Sequence, residues 1–184
     1  LQWLHQMQNL LPFATSSVLL GGERAGGHLA LAMATRAVLA PQAAQAPIQA
    51  LLLLYPCLLP MQINASMCAF AQGFGLTPTA MDTYWQALGD AEGALLTPSL
   101  CNEAWPHLPP IAIMTASHDI LRDEAEDWAN QLQSLPQEPS VRLQRAEGMV
   151  HGFARMLTAS PAAQRHVQAA CSMLQQLTLN SHGI

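Results

Sequence analysis

The chain has 184 residues, of which 51% are hydrophobic and only 10% charged, with a formal net charge of −5. That length is one domain's worth of material and can bury a real core. Its seven basic residues are all arginine and form no stripe, which argues against nucleic acid as a partner. The longest apolar run, Ala50 to Tyr55 continuing through Pro56 to Met61, is too short to span a bilayer.

The chain starts at Leu1, not at a methionine. The spacing of Leu1, Leu4 and Met7 in LQWLHQMQNL reads as the tail of a helix already under way. On that reading part of a longer parent, with any targeting signal, precedes it. A first strand is expected over about Ser17 to Gly21. A helix follows from about Ala25 to Ala40, stopping before Pro41 and apolar nearly all round, hence buried. The next strand, Ile48 to Tyr55, is Leu-rich without alternation, as a strand buried on both faces should be. From about residue 57 to 105 the pattern breaks into a long, Pro-containing insertion with a short helix near Thr79 to Leu88. Such a segment reads as a lid or binding loop. A strand over Ile111 to Thr115, an amphipathic helix over Arg122 to Leu135, a strand over Val141 to Arg145 and a helix over Ser160 to Leu177 complete the order. Strands alternating with helices predict an α/β fold, a parallel sheet with flanking helices, in a single domain over 1–184.

Cys57, Cys68, Cys101 and Cys171 are scattered with no C-x-x-C pair. A zinc knuckle is therefore not expected, and buried free thiols are the simplest reading. A metal site joining His118 to His28 or His151 has no ligand spacing behind it. No metal and no cofactor are expected.

The most informative stretch is Gly22-Glu23-Arg24-Ala25-Gly26-Gly27-His28, between the first strand and the first helix. A strand, a sharp glycine-lined turn and a helix form the layout of a nucleophile elbow, whose G-x-S-x-G centre carries a serine. Arg24 stands there instead, with no nucleophilic oxygen and a proton it does not lose. Arg24, Asp119 and His151 each follow a different predicted strand. In an open parallel sheet those strand ends share one edge, where ligands bind. The order, nucleophile position then acid then histidine, suits a histidine that shuttles the nucleophile's proton and a carboxylate that holds its ring. Taken singly, Asp119 reads as a helix N-cap ahead of Arg122 and His151 as a loop histidine.

These residues resemble the hormone-sensitive-lipase-like branch of the α/β-hydrolases, which includes small acetyl esterases and arylesterases. Gly22 to Gly27 is similar to that family's G-[DE]-S-A-G-G with one change. His118-Asp119-Ile120-Leu121-Arg122-Asp123-Glu124 resembles its D-P-L-R-D-E segment, and Gly148-Met149-Val150-His151-Gly152-Phe153 its G-M-x-H-G-F segment. Leu76-Thr77 with Met81 and Trp85, and Thr97 to Leu100, are more loosely similar to lid-side segments. The resemblance implies hydrolysis of short-chain carboxylic esters through an acyl-serine, with Asp119 and His151 completing the triad.

Two departures set the expectation for this chain. Arg24 replaces the serine, and no H-G-G-G oxyanion segment occurs in the 184 residues, leaving the backbone N–H of Ala25 as the candidate donor. A catalytically defective relative is therefore expected, with Arg24 paired to Asp119 or turned to solvent. The alternative is a non-catalytic protein whose Arg24 holds a carboxylate in the remnant cleft. Met61, Met67, Met81, Trp85 and Trp105 are expected in the core, or else along an acyl pocket. If the sheet lacks strands before the elbow, the first strand is an exposed apolar edge and self-association through it is expected. The expected ligand is a small acyl ester or carboxylate, and the expected compartment is the cytoplasm.

Overall fold

The computed structural model describes residues 10, 18–41, 47–60, 63–88 and 97–180. Apart from Leu10, the helical tail read over residues 1–10 lies outside them, as do Ser17 and Met61. Four parallel strands stand side by side in chain order: β1 (Val18–Glu23), β2 (Ile48–Leu54), β3 (Ile111–His118) and β4 (Val141–Val150). Between and after them lie α1 (Ala25–Leu39), α2 (Ala65–Ala69), α3 (Pro78–Leu88), α4 (Arg122–Gln133) and α5 (Pro161–Asn180).

Alternation along the strands sends successive side chains to opposite faces, and each face has its own core. Leu51, Leu53, Ile111 and Ile113 point to the face covered by α1 and α4, where they meet Leu31, Trp128 and Leu132. Met114, Ala116 and Ala146 point to the other face, packed by Phe153 after β4 and by Ala163 and Ala170 of α5. Buried Leu and Ile side chains of this kind are worth about 1.5–3 kcal/mol each relative to exposure. The α4 face is regular: Ala125, Trp128, Ala129 and Leu132 are buried, at helical spacing.

α1 differs from the expectation. Ala30, Leu31 and Ala34 are buried against the sheet, while Leu29 is 59% and Leu39 41% exposed. A helix laid on one sheet face buries one stripe only, however apolar its remaining surface is.

Three strands run further than their hydrophobic patterns indicate. β1 continues through Glu23, whose side chain finds partners at the sheet edge, β3 continues through His118, and β4 continues to Val150. In β4 the pairing shifts between Ala116↔Ala146 and His118↔Val150. Gly148, at φ 74, sits in that bulge, and its N–H donates to Ser117 Oγ at 2.9 Å. Among the described residues β1 pairs with β2 alone, and Leu19 is half exposed.

The segment between β2 and β3 contains α2, α3 and two short 3₁₀ turns. It docks through a third apolar cluster in which Cys57, Met67, Leu76 and Met81 meet Ile120 and Leu121 at the start of α4. Met67 serves that cluster. Trp105, considered above as a lining residue, packs in the main core under α1 and α4.

Candidate active site

The turn from β1 into α1 is a single residue. Arg24 has φ 54 and ψ −123, outside the ordinary allowed regions for a side-chain-bearing residue. Neighbouring backbone holds it there: its N–H donates to Leu54 O at 3.1 Å, and its carbonyl accepts from His28 N at 3.2 Å. Such tight reversal needs glycine at defined places. A Cβ on Gly22 would lie 2.2 Å from the carbonyl carbon of Gly26, and one on Gly27 would lie 2.9 Å from Pro56 Cβ. The sequence supplies glycine at both.

Asp119 follows β3 directly, and His151 follows β4 directly. His151 Nδ1 lies 2.6 Å from Asp119 Oδ2, with side chains only 4% and 1% exposed. With Nδ1 turned to the carboxylate, Nε2 is the ring nitrogen not engaged by Asp119. Nε2 is buried and has no hydrogen-bond partner among the described residues. Asp119 Oδ1 accepts from Leu121 N at 3.0 Å. Asp119 thus organises the turn before α4, but the N-cap position of that helix is Leu121. The His118 ring turns away from His151 chemistry: it stacks on Phe74 at 5.4 Å and meets Ser117 Oγ at 2.9 Å through Nδ1.

Arg24 and His151 line the same pocket, of about 420 Å³. One wall is a stripe of α3, where Met81, Tyr84, Trp85 and Leu88 recur at helical spacing. Arg24 does not pair with Asp119, whose oxygens are taken by His151 and Leu121; among the described residues Arg24 forms no ion pair. Cys57 also lines the pocket, but burial, aided by the nearby Glu124 charge, pushes its thiol up to about 12. It is therefore not a thiolate at neutral pH.

Sequence reasoning missed the clamp around Glu23. Its carboxylate accepts from the Tyr55 hydroxyl and from the Arg155 guanidinium, joining the ends of β1 and β2 to the turn after His151. Burial pushes Glu23 up, but the bonds from Arg155 and Tyr55 outweigh it and hold the carboxyl below its usual range. Tyr55, at φ 34, sets its ring edge-on to His151 at 5.0 Å and to Phe153 at 5.1 Å. No local pattern links positions 23, 55 and 155; only the sheet brings them together. Buried Glu124 was missed likewise: Leu58 N donates to its Oε1 at 2.7 Å, and burial pushes its carboxyl up to about 8.

A turn at positive φ after β1, and a buried His–Asp pair at the ends of β3 and β4 of the same parallel sheet, define an α/β-hydrolase frame. A family model described as alpha/beta hydrolase fold matches residues 1–155, and the chain belongs to that family. It is 28% identical over 169 residues to an esterase of Gibberella moniliformis, covering 88% of this chain and 52% of that relative. A solved form of esterase rPPE, complexed with (S)-Ac-CPA, superposes with a TM-score of 0.77 at 27% identity, over 97% of this chain and 56% of that one. Carboxyl esterase 2 of Tuber melanosporum shares the fold with a TM-score of 0.79 at 24% identity, over 96% and 59% of the two chains. The chain spans about half the length of the curated relatives it matches.

Proposed function

We propose that this chain carries the cleft of a carboxylic ester hydrolase from which the attacking hydroxyl is missing, and that as it stands it forms no acyl-enzyme. The reading rests on residue 24, held at φ 54 in the strand-to-helix turn and lining one pocket with His151. A hydroxyl at that position would attack an acyl carbon. His151 would take its proton through Nε2 and return it to the leaving alcohol, and Asp119 would hold the ring and balance its charge. The N–H of Ala25, in the first turn of α1, would be one oxyanion donor. The apolar stripe of α3 supports a short acyl chain as the parental substrate. No step calls for a cofactor.

Arg24 breaks this sequence at its first step, because a guanidinium keeps its proton and is no nucleophile in water. The resemblance to hormone-sensitive-lipase-like esterases supports the same substrate class. All four cysteines are free thiols, which supports a reducing, cytoplasmic setting. No helix among the described residues is long and apolar enough to cross a membrane.

Incubation with p-nitrophenyl acetate and with a serine-directed phosphonate tests the reading. Background hydrolysis and no covalent adduct are expected. Turnover that vanishes in His151→Ala overturns it.

A second reading is favoured by one observation: Arg24 has no ion-pair partner among the described residues. A lasting cation on an apolar pocket suits a non-catalytic protein that holds a carboxylate.

A further inference from the structure

We infer that two copies of this chain join through their β1 edges. Val18–Glu23 of each pairs antiparallel with the same strand of the other, about a two-fold axis at Gly21, and the two sheets become one.

The backbone of β1 gives the first reason. Val18 N donates to Pro47 O at 3.0 Å and Arg24 N to Leu54 O at 3.1 Å, so the even-numbered residues turn their N–H and C=O groups to β2. The register slips between Val18↔Ile48 and Leu19↔Ala50, and the extra residue, Gln49, lies in β2, so alternation along β1 is unbroken. Leu19, Gly21 and Glu23 therefore present their backbone groups outward, where no strand among the described residues meets them. Such a row is a template for a further strand.

Symmetry says which strand fits. The outward residues are spaced evenly about Gly21. An antiparallel copy centred there sets Gly21 opposite the partner's Gly21 and Leu19 opposite the partner's Glu23, and every outward N–H then meets a C=O. Glu23 is the one charged side chain of β1, and Tyr55 and Arg155 already hold it. In this register the two Glu23 residues stand about 14 Å apart, too far to repel strongly in salt. β4, the other edge of the sheet, is defended by Arg142, Arg145, Glu147 and the bulge at Gly148, whereas β1 has no Lys, no Pro and no bulge of its own.

The layers above and below admit the copy. α5 packs on β2, β3 and β4, which leaves Leu19 half exposed on that face. On the other face α1 lies over β1 and β2, and His28, whose Nδ1 meets Cys57 O at 3.2 Å, marks the flank turned to β2. Helical spacing puts Gly26, Met33 and Ala37 on the opposite flank, and Met33 is 38% exposed. Across one strand spacing the two α1 helices would stand about 10 Å apart, a separation at which helices pack. Leu19 and Met33 would lose solvent at the seam.

Sedimentation velocity of the 184-residue chain across the micromolar range tests the pairing. A monomer–dimer equilibrium is expected, because two-fold pairing consumes the edge. The amides of Leu19 and Gly21 should exchange more slowly as concentration rises. Leu19→Glu places a carboxylate opposite the partner's Glu23 at both ends of the seam and should weaken association roughly tenfold or more. Leu19→Lys is as polar but of opposite sign, and should weaken it far less. Both changes fall on a half-exposed side chain, so both variants are expected to fold.

Four results overturn the inference: a monomer throughout the range, open-ended polymers in place of a dimer, a dimer that Leu19→Glu leaves intact, or equal losses in Leu19→Glu and Leu19→Lys.

Discussion

His151 Nδ1 lies 2.6 Å from Asp119 Oδ2 across 32 residues of sequence, and neither side chain reaches solvent to any extent. β3 and β4 are parallel neighbours, so the residues that leave their carboxyl ends emerge side by side. The pair is as much a piece of core architecture as a piece of chemistry. Asp119 also secures the turn into α4 through Leu121 N.

Removing that carboxylate orphans two buried donors at once, the Nδ1–H of His151 and the N–H of Leu121. Each should cost about 1–3 kcal/mol. Asp119→Ala is therefore expected to be clearly destabilised in urea unfolding, even though the chain is proposed to be inactive. A midpoint within error of the parent would show that the pair does not support the fold.

The three elbow glycines should respond in opposite directions. A Cβ at Gly22 meets backbone at 2.2 Å, whereas one at Gly26 meets nothing within 4 Å. Gly22→Ala must displace the turn and should unfold the chain or cost several kcal/mol, by the scale of overpacked sites, about 1–3 kcal/mol and occasionally more. Gly26→Ala lies in the first turn of α1 and should stabilise by up to about 1 kcal/mol, the helical preference of Ala over Gly. Gly27→Ala, at 2.9 Å from Pro56 Cβ, should fall between them. Thermal melts of the three variants rank them; the reverse order for Gly22 and Gly26 would contradict the turn geometry.

Glu124 should make stability depend on pH in an unusual direction for a carboxylate. Burial pushes its folded value up to about 8 from an ordinary 4.5, against the pull of the Leu58 and Leu59 backbone donors and with a smaller push from Asp119. Between those two values the folded chain binds the proton more tightly than the unfolded one. The stability from this group is complete below about pH 4.5 and is lost as pH rises through about 8. Urea midpoints should therefore decline across neutral pH. Glu124→Gln keeps an oxygen for Leu58 N but cannot titrate, so its profile over that window should be flatter. A parent profile that rises across the same window would refute the assignment.

The order of strands and helices is legible in the sequence because each buried strand is a short run of Leu, Ile or Ala bounded by turn residues. The elbow is equally plain, since Gly22, Gly27 and an odd residue at 24 mark a turn that few other sequences can make. What failed were boundaries and exposures. The ends of β1 and β4 are charged or glycine-containing, so hydrophobicity runs out there before the hydrogen-bonded ladder does. The exposed face of α1 is apolar, so composition alone assigns it to the core.

Local sequence by itself determined an alternating α/β chain, a tight turn at residue 24 and the absence of a hydroxyl there, because backbone preference and side-chain chemistry are properties of the residues in order. Only the tertiary structure decided which groups face one another. It joined Asp119 to His151 and left Arg24 without an ion pair among the described residues, and it tied Glu23 to Tyr55 and Arg155. The reason is geometric: parallel strands bring their carboxyl ends to one edge whatever lies between them in sequence, and contacts across that edge leave no periodic trace along the chain.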